Sequence, residues 1–169
     1  LIGEHNRINI MAAVAIGAAL DIPCNVIKES LEGHVKISGR LEVKRLKKDI
    51  VLIDDSYNAN PHSMKAAIDT IKKFPGKKIA VLGSMGELGK DSIKLHQEIG
   101  EYAKNSGIEK LFSIGEDAKH YQGDHFQDVE SIVNTLSRNH QKSVILVKGS
   151  RMMELNKLVD ILVNSQNSP

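Results

Sequence analysis

The sequence predicts an α/β fold in which a mainly parallel sheet carries helices on both faces and is preceded by two further helices. Three observations support this prediction. Short apolar runs alternate with helical segments along most of the chain, polar turn residues separate them, and an Ala- and Ile-rich segment precedes the first run. Parallel strands require a crossover between them, so this alternation is typical of a parallel sheet.

The N-terminal part predicts two helices and a linker. The first helix, from Asn6 to Leu20, is apolar nearly all round and is therefore expected to be buried or packed on two sides. The second runs from Pro23 to Leu31, and Gly33 ends it. Val35 to Gly39 is interpreted as a linker. The mostly alternating segment Leu41 to Leu46 predicts an edge or half-exposed strand.

Strands and helices then alternate regularly. The predicted strands are Ile50–Ile53, Ile79–Leu82, Leu111–Ile114 and Val144–Val147. The predicted helices are Pro61–Phe74, Ser92–Asn105, Gln127–Arg138 and Met152–Val163. In an open parallel sheet the carboxyl ends of the strands meet at one edge, where ligands bind. We therefore expect four polar turns to converge on one crevice: Asp54-Asp55, Gly83 to Glu87, Gly115 to Asp117, and Lys148 to Arg151.

The turn from Asp54 to Pro61 is the most informative segment. It places two carboxylates, two side-chain amides and a phenol between a buried strand and a helix that Asn60 caps and Pro61 begins. A capped turn needs only one such residue, so the excess indicates a binding site.

The turn from Lys148 to Arg151 predicts an anion site. Gly149 allows close approach of the backbone, two cations flank it, and a helix predicted to start after Ser150 would offer free N–H groups. The glycines from Gly83 to Gly89 match neither GxGxxG nor the phosphate loop GxxxxGK[ST] and indicate a flexible turn. His96, on the following helix, is interpreted as a packing residue.

Composition limits the function classes. There are 23 Lys+Arg against 21 Asp+Glu, a net charge of +2, and aromatic residues make up only 4%, without Trp. Neither nucleic-acid nor membrane binding is therefore expected. Cysteine occurs once, so neither a disulfide framework nor a cysteine metal site is expected. A cytosolic location is the expectation, and the start at Leu1 rather than Met suggests part of a longer protein.

Taken together, these segments resemble the Mur ligases. The matching pieces follow one another in family order and span nearly the whole chain. They are His5 to Asn9 with Ala12-Ala13, Gly33 to Val35 leading to Ser38-Gly39-Arg40, Asp54 to Pro61 with Ser63-Met64, Leu82-Gly83 with Met85 and Glu87 to Gly89, and Val147 to Arg151. The run Tyr57 to Pro61 favours the branch that adds D-alanyl-D-alanine to UDP-MurNAc-tripeptide.

The resemblance implies a domain organisation and an activity. Residues 1–36 would be the helical end of a central ATP-binding domain, and residues 37–169 a Rossmann-like C-terminal domain. The whole bacterial, cytoplasmic enzyme, expected to be a monomer, would use ATP and magnesium, bound mainly by the missing central domain. It would form an amide through an acyl phosphate. The fragment, without the N-terminal and central domains, would carry neither a catalytic residue nor a metal site and would be inactive.

The resemblance also implies residue roles. Asn6 would contact the adenine, Arg40 a phosphate and Asp55 the ribose. The incoming dipeptide would be bound by the asparagines of one turn and the polar residues of another: Asn58, Asn60, Lys148, Ser150 and Arg151.

Other interpretations stay open at this point. Within the ligases, a diaminopimelate- or lysine-adding relative and folylpolyglutamate synthetase share the Gly-Arg and Asp-Ser features. A receiver-like signalling module also ends its first strand in paired acids and its last in Lys, but needs an acceptor Asp where Gly83-Ser84 stands. A dinucleotide-binding dehydrogenase would need GxGxxG.

Overall fold

The computed structural model describes residues 5–33, 38–139 and 142–167. The helices are α1 (His5–Ala19), α2 (Cys24–Gly33), α3 (Pro61–Lys72), α4 (Ser92–Asn105), α5 (Val129–Asn139) and α6 (Asn156–Asn167). The strands are β1 (Glu42–Leu46), β2 (Ile50–Asp55), β3 (Lys77–Gly83), β4 (Lys110–Ile114), β5 (Asp124–Phe126) and β6 (Ser143–Lys148). Short 3₁₀ segments cover Gly89–Asp91, Asp117–Tyr121 and Arg151–Met153.

The strands form one six-stranded sheet in the order β1-β2-β6-β3-β4-β5. The edge strand β1 pairs antiparallel with β2, and all other neighbours are parallel. Strand β6, the last in the chain, lies between β2 and β3. The prediction of a mainly parallel α/β sheet is confirmed.

Two apolar cores lie on the two faces of the sheet, because successive side chains of a strand point to opposite sides. One core joins α3 and α4 to residues such as Ile53, Leu82 and Leu146. The other joins α5 and α6 to residues such as Leu52 and Val81. The predicted helices on both faces are therefore present, and they hold the strand ends in fixed positions.

Three details differ from the prediction. Strand β2 extends through Asp54 and Asp55, which were predicted to lie in the turn, because both pair with β6. Strand β5, which pairs parallel with β4, was not expected, because Asp124-His125-Phe126 is short and has no apolar pattern. Helix α6 begins at Asn156 rather than Met152, since Arg151–Met153 is a 3₁₀ turn and Glu154 has a left-handed φ of 46°. This detour brings Leu155 into the core, where it is fully buried.

The N-terminal helices pack on each other, with Ile27 against Gly17. The expectation that α1 is buried does not hold in this structure, because its apolar side chains are largely exposed; Ile8 is 71% and Met11 70% exposed. The predicted linker and the boundary after residue 36 fall largely on residues 34–37, outside the described part. Among the described residues, no helix is long and apolar enough to cross a membrane.

Candidate functional site

The four predicted turns meet at one edge of the sheet. In the parallel register Asp55 lies beside Lys148, Leu82 beside Lys148, and Gly83 beside Ile114. Each pair stands at the carboxyl ends of neighbouring strands. The predicted convergence of the turns after β2, β6, β3 and β4 is therefore confirmed.

A buried ion pair joins the ends of β2 and β6, where the two turns begin. The ammonium of Lys148, which is only 3% exposed, donates to Asp55 Oδ2 at 2.5 Å and to the carbonyl oxygen of Asn58 at 2.9 Å. Asp55 Oδ1 accepts the backbone N–H of Leu41 at 3.0 Å. We call Asp55 and Lys148 the buried ion pair; it ties both turns to the segment that leads into β1.

The two adjacent aspartates have different surroundings. Asp54 Oδ1 accepts both the backbone N–H of Ser56, at 3.1 Å, and its hydroxyl, at 2.6 Å. This local pattern closes the turn after β2. Asp54 therefore shapes the turn, whereas Asp55 carries the charged contact with Lys148.

An exposed cluster of two arginines and a tyrosine lies beside the buried ion pair. The guanidinium carbon of Arg40 is 4.5 Å from the centroid of the Tyr57 ring, and that of Arg151 is 5.3 Å from it. Arg151 Nη1 also donates to the Tyr57 hydroxyl at 3.3 Å. We call these three residues the arginine–tyrosine cluster. Within the described part of the chain neither arginine forms a salt bridge, so the cluster is a positively charged patch.

Gly39 sets the position of Arg40. Its carbonyl oxygen accepts the backbone N–H of Tyr57 at 3.0 Å, and its φ is +74°, which favours glycine. A Cβ on Gly39 would lie 3.0 Å from the Tyr57 nitrogen and 3.2 Å from Ser56 Oγ. Ser38 to Leu41 therefore lies directly against the turn after β2.

The two asparagines of the motif are exposed, and each engages its side-chain oxygen locally. Asn58 Oδ1 accepts the backbone N–H of Ala59, and Asn60 Oδ1 accepts that of Ser63, which completes the capping box of α3. The expected cap by Asn60 is confirmed. Among the described contacts their side-chain NH₂ groups donate to no protein atom, so both can donate to a ligand carbonyl.

The turn after β6 differs from the prediction in its backbone. Ser150 N–H donates to the carbonyl of Ser84 at 3.0 Å and is not free. The predicted helix N-terminus behind Ser150 is wrong, because only a three-residue 3₁₀ turn follows. What this turn offers an anion is the side chain of Arg151, and the close approach at Gly149 serves packing against Gly83 and Leu155.

The glycine-containing loop after β3 is held from below by His96 and Tyr121. His96 is fully buried; its Nε2 accepts the Met85 backbone N–H at 3.0 Å, and its Nδ1 lies 2.7 Å from the Ser92 carbonyl. Burial lowers the pKa of His96. The Tyr121 hydroxyl donates to the carbonyl of Gly83 at 3.0 Å, and burial raises its pKa. His96 is thus a packing residue, as expected.

For the predicted nucleotide contacts, Arg40 and Asp55 lie on one side of the crevice. Asn6 is in the first turn of α1, and its side chain lies outside the described part. The exposed guanidinium of Arg40, stacked on a ring and free of carboxylates among the described residues, suits a phosphate group. Asp55 is 9% exposed and already accepts two hydrogen bonds, so a ribose contact would be made beside these partners.

Sequence reasoning missed one member of this site. Tyr57 belongs to the quoted motif, but no role was predicted for it. Its partners lie 17 residues before it and 94 residues after it in the chain, so no local pattern could reveal the cluster. In the described part of the chain, no three His, Cys, Asp or Glu side chains come together in a way that could hold a metal ion.

Fold and site together define the class: a Rossmann-like α/β domain with two exposed arginines at the carboxyl edge of its sheet. The family model described as "Mur ligase, glutamate ligase domain" matches residues 39–151, and the chain belongs to this family. This membership sets aside the receiver-like and dehydrogenase interpretations.

Among similar curated proteins, UDP-N-acetylmuramoyl-tripeptide–D-alanyl-D-alanine ligase of Buchnera aphidicola is 39% identical over 96% of this chain, and that of Escherichia coli 35% over 95%. This chain spans only 37% of the length of each. A solved structure of MurF ligase from Thermotoga maritima in complex with ADP has a TM-score of 0.86 and 26% identity, with 98% of this chain and 39% of that chain covered.

Proposed function

We propose that this chain is the C-terminal part of an ATP-dependent ligase that joins D-alanyl-D-alanine to UDP-MurNAc-tripeptide during synthesis of peptidoglycan precursors. The observation that carries the proposal is the positively charged edge formed by Arg40, Tyr57 and Arg151 in a chain of the Mur ligase family. The names of the similar curated proteins favour the dipeptide-adding branch over the diaminopimelate- or lysine-adding enzymes and folylpolyglutamate synthetase.

The proposed division of the chain is residues 1–36 for the end of the central domain and residues 37–169 for the C-terminal domain. The exposed apolar side chains of α1 support this division, because a patch of this kind marks a surface that contacts another domain. In the whole enzyme the central domain would cover α1. It would also hold magnesium, which neutralises phosphate charge during transfer. A monomeric enzyme in the bacterial cytosol stays a prediction.

The proposed reaction has two steps. The carboxylate of the tripeptide attacks the γ-phosphorus of ATP, which forms an acyl phosphate and releases ADP. The neutral amine of D-alanyl-D-alanine then attacks the acyl carbon, phosphate leaves with the electrons of the C–O bond, and the amine loses a proton as the amide forms. Both steps place negative charge on phosphate oxygens, which positioned cations stabilise.

In this proposal Arg40 holds a phosphate group and Asp55 the ribose, while Asn6 contacts the adenine. Arg151 binds the carboxylate of the dipeptide. Asn58 and Asn60 can orient its peptide carbonyl through uncharged N–H donors, which neither protonate nor repel the attacking amine. Lys148 and Ser150 complete that side of the crevice; the ammonium of Lys148 has one donor beyond its two described contacts.

The test is phosphate release by the full-length protein supplied with ATP, magnesium and UDP-MurNAc-tripeptide. We expect release to require D-alanyl-D-alanine and not to occur when diaminopimelate, lysine or glutamate replaces it. The present chain alone should show no turnover. A full-length protein that releases no phosphate with D-alanyl-D-alanine would contradict the proposed function. Turnover by the present chain alone would contradict the proposal that the central domain is required.

A further inference from the structure

Three segments far apart in the chain meet at the side chain of Tyr57. Arg40 comes from the segment before β1, Tyr57 from the turn after β2, and Arg151 from the turn after β6. Tyr57 is 41% exposed, so it is not a core residue that the cluster merely touches. A change at Tyr57 should therefore act on the two arginines more than on folding.

The two guanidinium groups carry like charges, and each contacts the same tyrosine side chain. The electron-rich face of a phenol ring attracts a cation, which is why both arginines can lie over it. Arg151 has an additional bond to the hydroxyl, whereas Arg40 contacts only the ring in the described structure. The two arginines thus depend on different parts of one side chain.

We propose that Tyr57 is a positioning residue that holds Arg40 toward the nucleotide phosphates through its ring and Arg151 toward the dipeptide carboxylate through its hydroxyl. This inference deepens the proposed function and rests on it for the identity of the dipeptide. Because one residue supports both contacts, Tyr57 links the segment before β1 to the dipeptide side of the crevice.

The chain offers a matched control for this proposal. Tyr102, on α4, also has two cations over its ring, since the Lys65 and Lys72 ammonium groups both lie 5.6 Å from its centroid. It bonds Asp69 of α3 on a helical face away from the four turns. Tyr102→Leu therefore removes the same atoms and the same type of contact without touching the crevice.

Two variants at Tyr57 separate the ring from the hydroxyl. Tyr57→Leu removes both, and Tyr57→Phe keeps the ring. The full-length proteins are compared by calorimetric titration with the non-hydrolysable analogue AMPPNP and by the KM for D-alanyl-D-alanine. An exposed cation–π contact corresponds to a change of about two- to fivefold in affinity, and a hydrogen bond from a charged donor to about tenfold or more.

We expect Tyr57→Leu to weaken AMPPNP binding about two- to fivefold and to raise the KM for the dipeptide. Tyr57→Phe should bind AMPPNP as the wild type does, within about twofold, but should still raise the KM for the dipeptide. Tyr102→Leu should change neither. If Tyr57 had only a structural role, its variants would lower the melting temperature, and Tyr57→Phe would not affect the dipeptide while leaving AMPPNP binding unchanged.

The proposal is overturned if Tyr57→Leu, folded by its melting temperature, binds AMPPNP like the wild type, or if Tyr57→Phe loses AMPPNP affinity to the same extent. Equal losses in Tyr102→Leu would also overturn it. If Tyr57→Leu does not fold, Tyr57→Phe still tests the split. If the wild type and the variants bind AMPPNP as expected but the wild type does not turn over D-alanyl-D-alanine, the proposed function is refuted and the role of the ring stands. If the wild type does not bind AMPPNP, both are refuted.

Discussion

The buried ion pair and the arginine–tyrosine cluster connect the same parts of the molecule in opposite environments. Both join the segment before β1 to the turns after β2 and β6. Lys148 is enclosed and its charge is met by Asp55, whereas Arg40 and Arg151 are exposed and, among the described residues, meet no carboxylate. Loss of one member of a buried pair leaves an uncompensated charge inside the fold, whereas a charge that is unpaired at the surface is available to a ligand.

Because of this difference, residues of one motif are expected to affect different properties, either the stability of the fold or the binding of substrate. Asp55 is the last residue of β2 and Tyr57 lies two positions later, in the turn, yet we expect mutation of the first to act mainly on stability and mutation of the second mainly on substrate binding. The predictions below test this separation, beginning with the largest effect.

Breaking the buried ion pair should cost the most. Asp55→Ala leaves the ammonium of Lys148 buried without its carboxylate, which typically destabilises a protein by about 3–5 kcal/mol. The double variant Asp55→Ala/Lys148→Met should recover much of this loss, because an apolar replacement of both charges is often nearly neutral. The measurement is the free energy of unfolding in denaturant.

The matched control is the exposed pair Lys94–Glu98 on α4, whose nitrogen and oxygen lie 4.0 Å apart. Lys94→Met should change the free energy of unfolding by about 0–1 kcal/mol. If Asp55→Ala were as mild as Lys94→Met, the fold would not depend on the carboxylate beside Lys148, and a contact with the nucleotide would be the main role of Asp55.

Variants of the two arginines should change substrate binding and leave the stability of the fold nearly unchanged, the reverse of Asp55→Ala. In the full-length protein Arg40→Ala removes a charge-assisted contact, worth about 1.5–3 kcal/mol or one to two decades in the KM for ATP. Arg151→Ala should raise the KM for D-alanyl-D-alanine far more than that for ATP. Because both side chains are exposed, the free energy of unfolding should change by no more than about 0.5 kcal/mol.

Two results would argue against this assignment. A large fall in the free energy of unfolding for either arginine variant would mean that the arginine–tyrosine cluster supports the fold, as the buried ion pair does. Equal effects of Arg151→Ala on both substrates, or none on either, would remove the dipeptide carboxylate from the turn after β6.

The sequence predicts the sheet well because its strands are continuous apolar runs separated by helices, and this pattern depends on local burial. It also predicts which turns converge, since parallel strands share one carboxyl edge. It fails where distant contacts decide the conformation. The start of α6 depends on room for Leu155 between Gly83 and Gly149, and β5 depends on pairing with β4 rather than on its own residues.

The candidate site follows the same rule. The cap by Asn60 is a contact over three positions and could be predicted from the motif. The bonds of Lys148 span 93 and 90 positions, so the sequence indicates a cation at the turn but not that its charge is paired and enclosed. Arg151, three positions after Lys148, is exposed.

The smallest expected effect concerns His96. Among the described residues it is a titratable group that is neither paired with an opposite charge, as Lys148 is, nor exposed, as the arginines are. His96 lies beneath the loop after β3, where its ring is 4.9 Å from that of Tyr121. Burial lowers its pKa; the Ser92 carbonyl and Asp117 oppose the shift, and His120 adds to it. Unlike Lys148, this group meets the cost of burial by staying neutral rather than by pairing with an opposite charge.

The sign of the pH dependence follows from the lowered pKa. The unfolded chain takes up a proton near the ordinary histidine pKa of about 6.5, before the folded protein does, so acid favours unfolding. The stability linked to His96 is complete above that value and declines as the pH falls toward the lower pKa of the folded state. His96→Gln keeps an acceptor for the Met85 N–H without titrating. We therefore expect the stability advantage of the wild type over this variant to shrink between pH 7.5 and 5.5, measured by denaturant unfolding at each pH.

His62→Gln, at an exposed position of α3, controls for the substitution itself. A wild type that keeps its whole advantage over His96→Gln in acid would mean that His96 accepts a proton in the folded state as readily as in the unfolded one, and the contrast with the buried ion pair would then not extend to this loop.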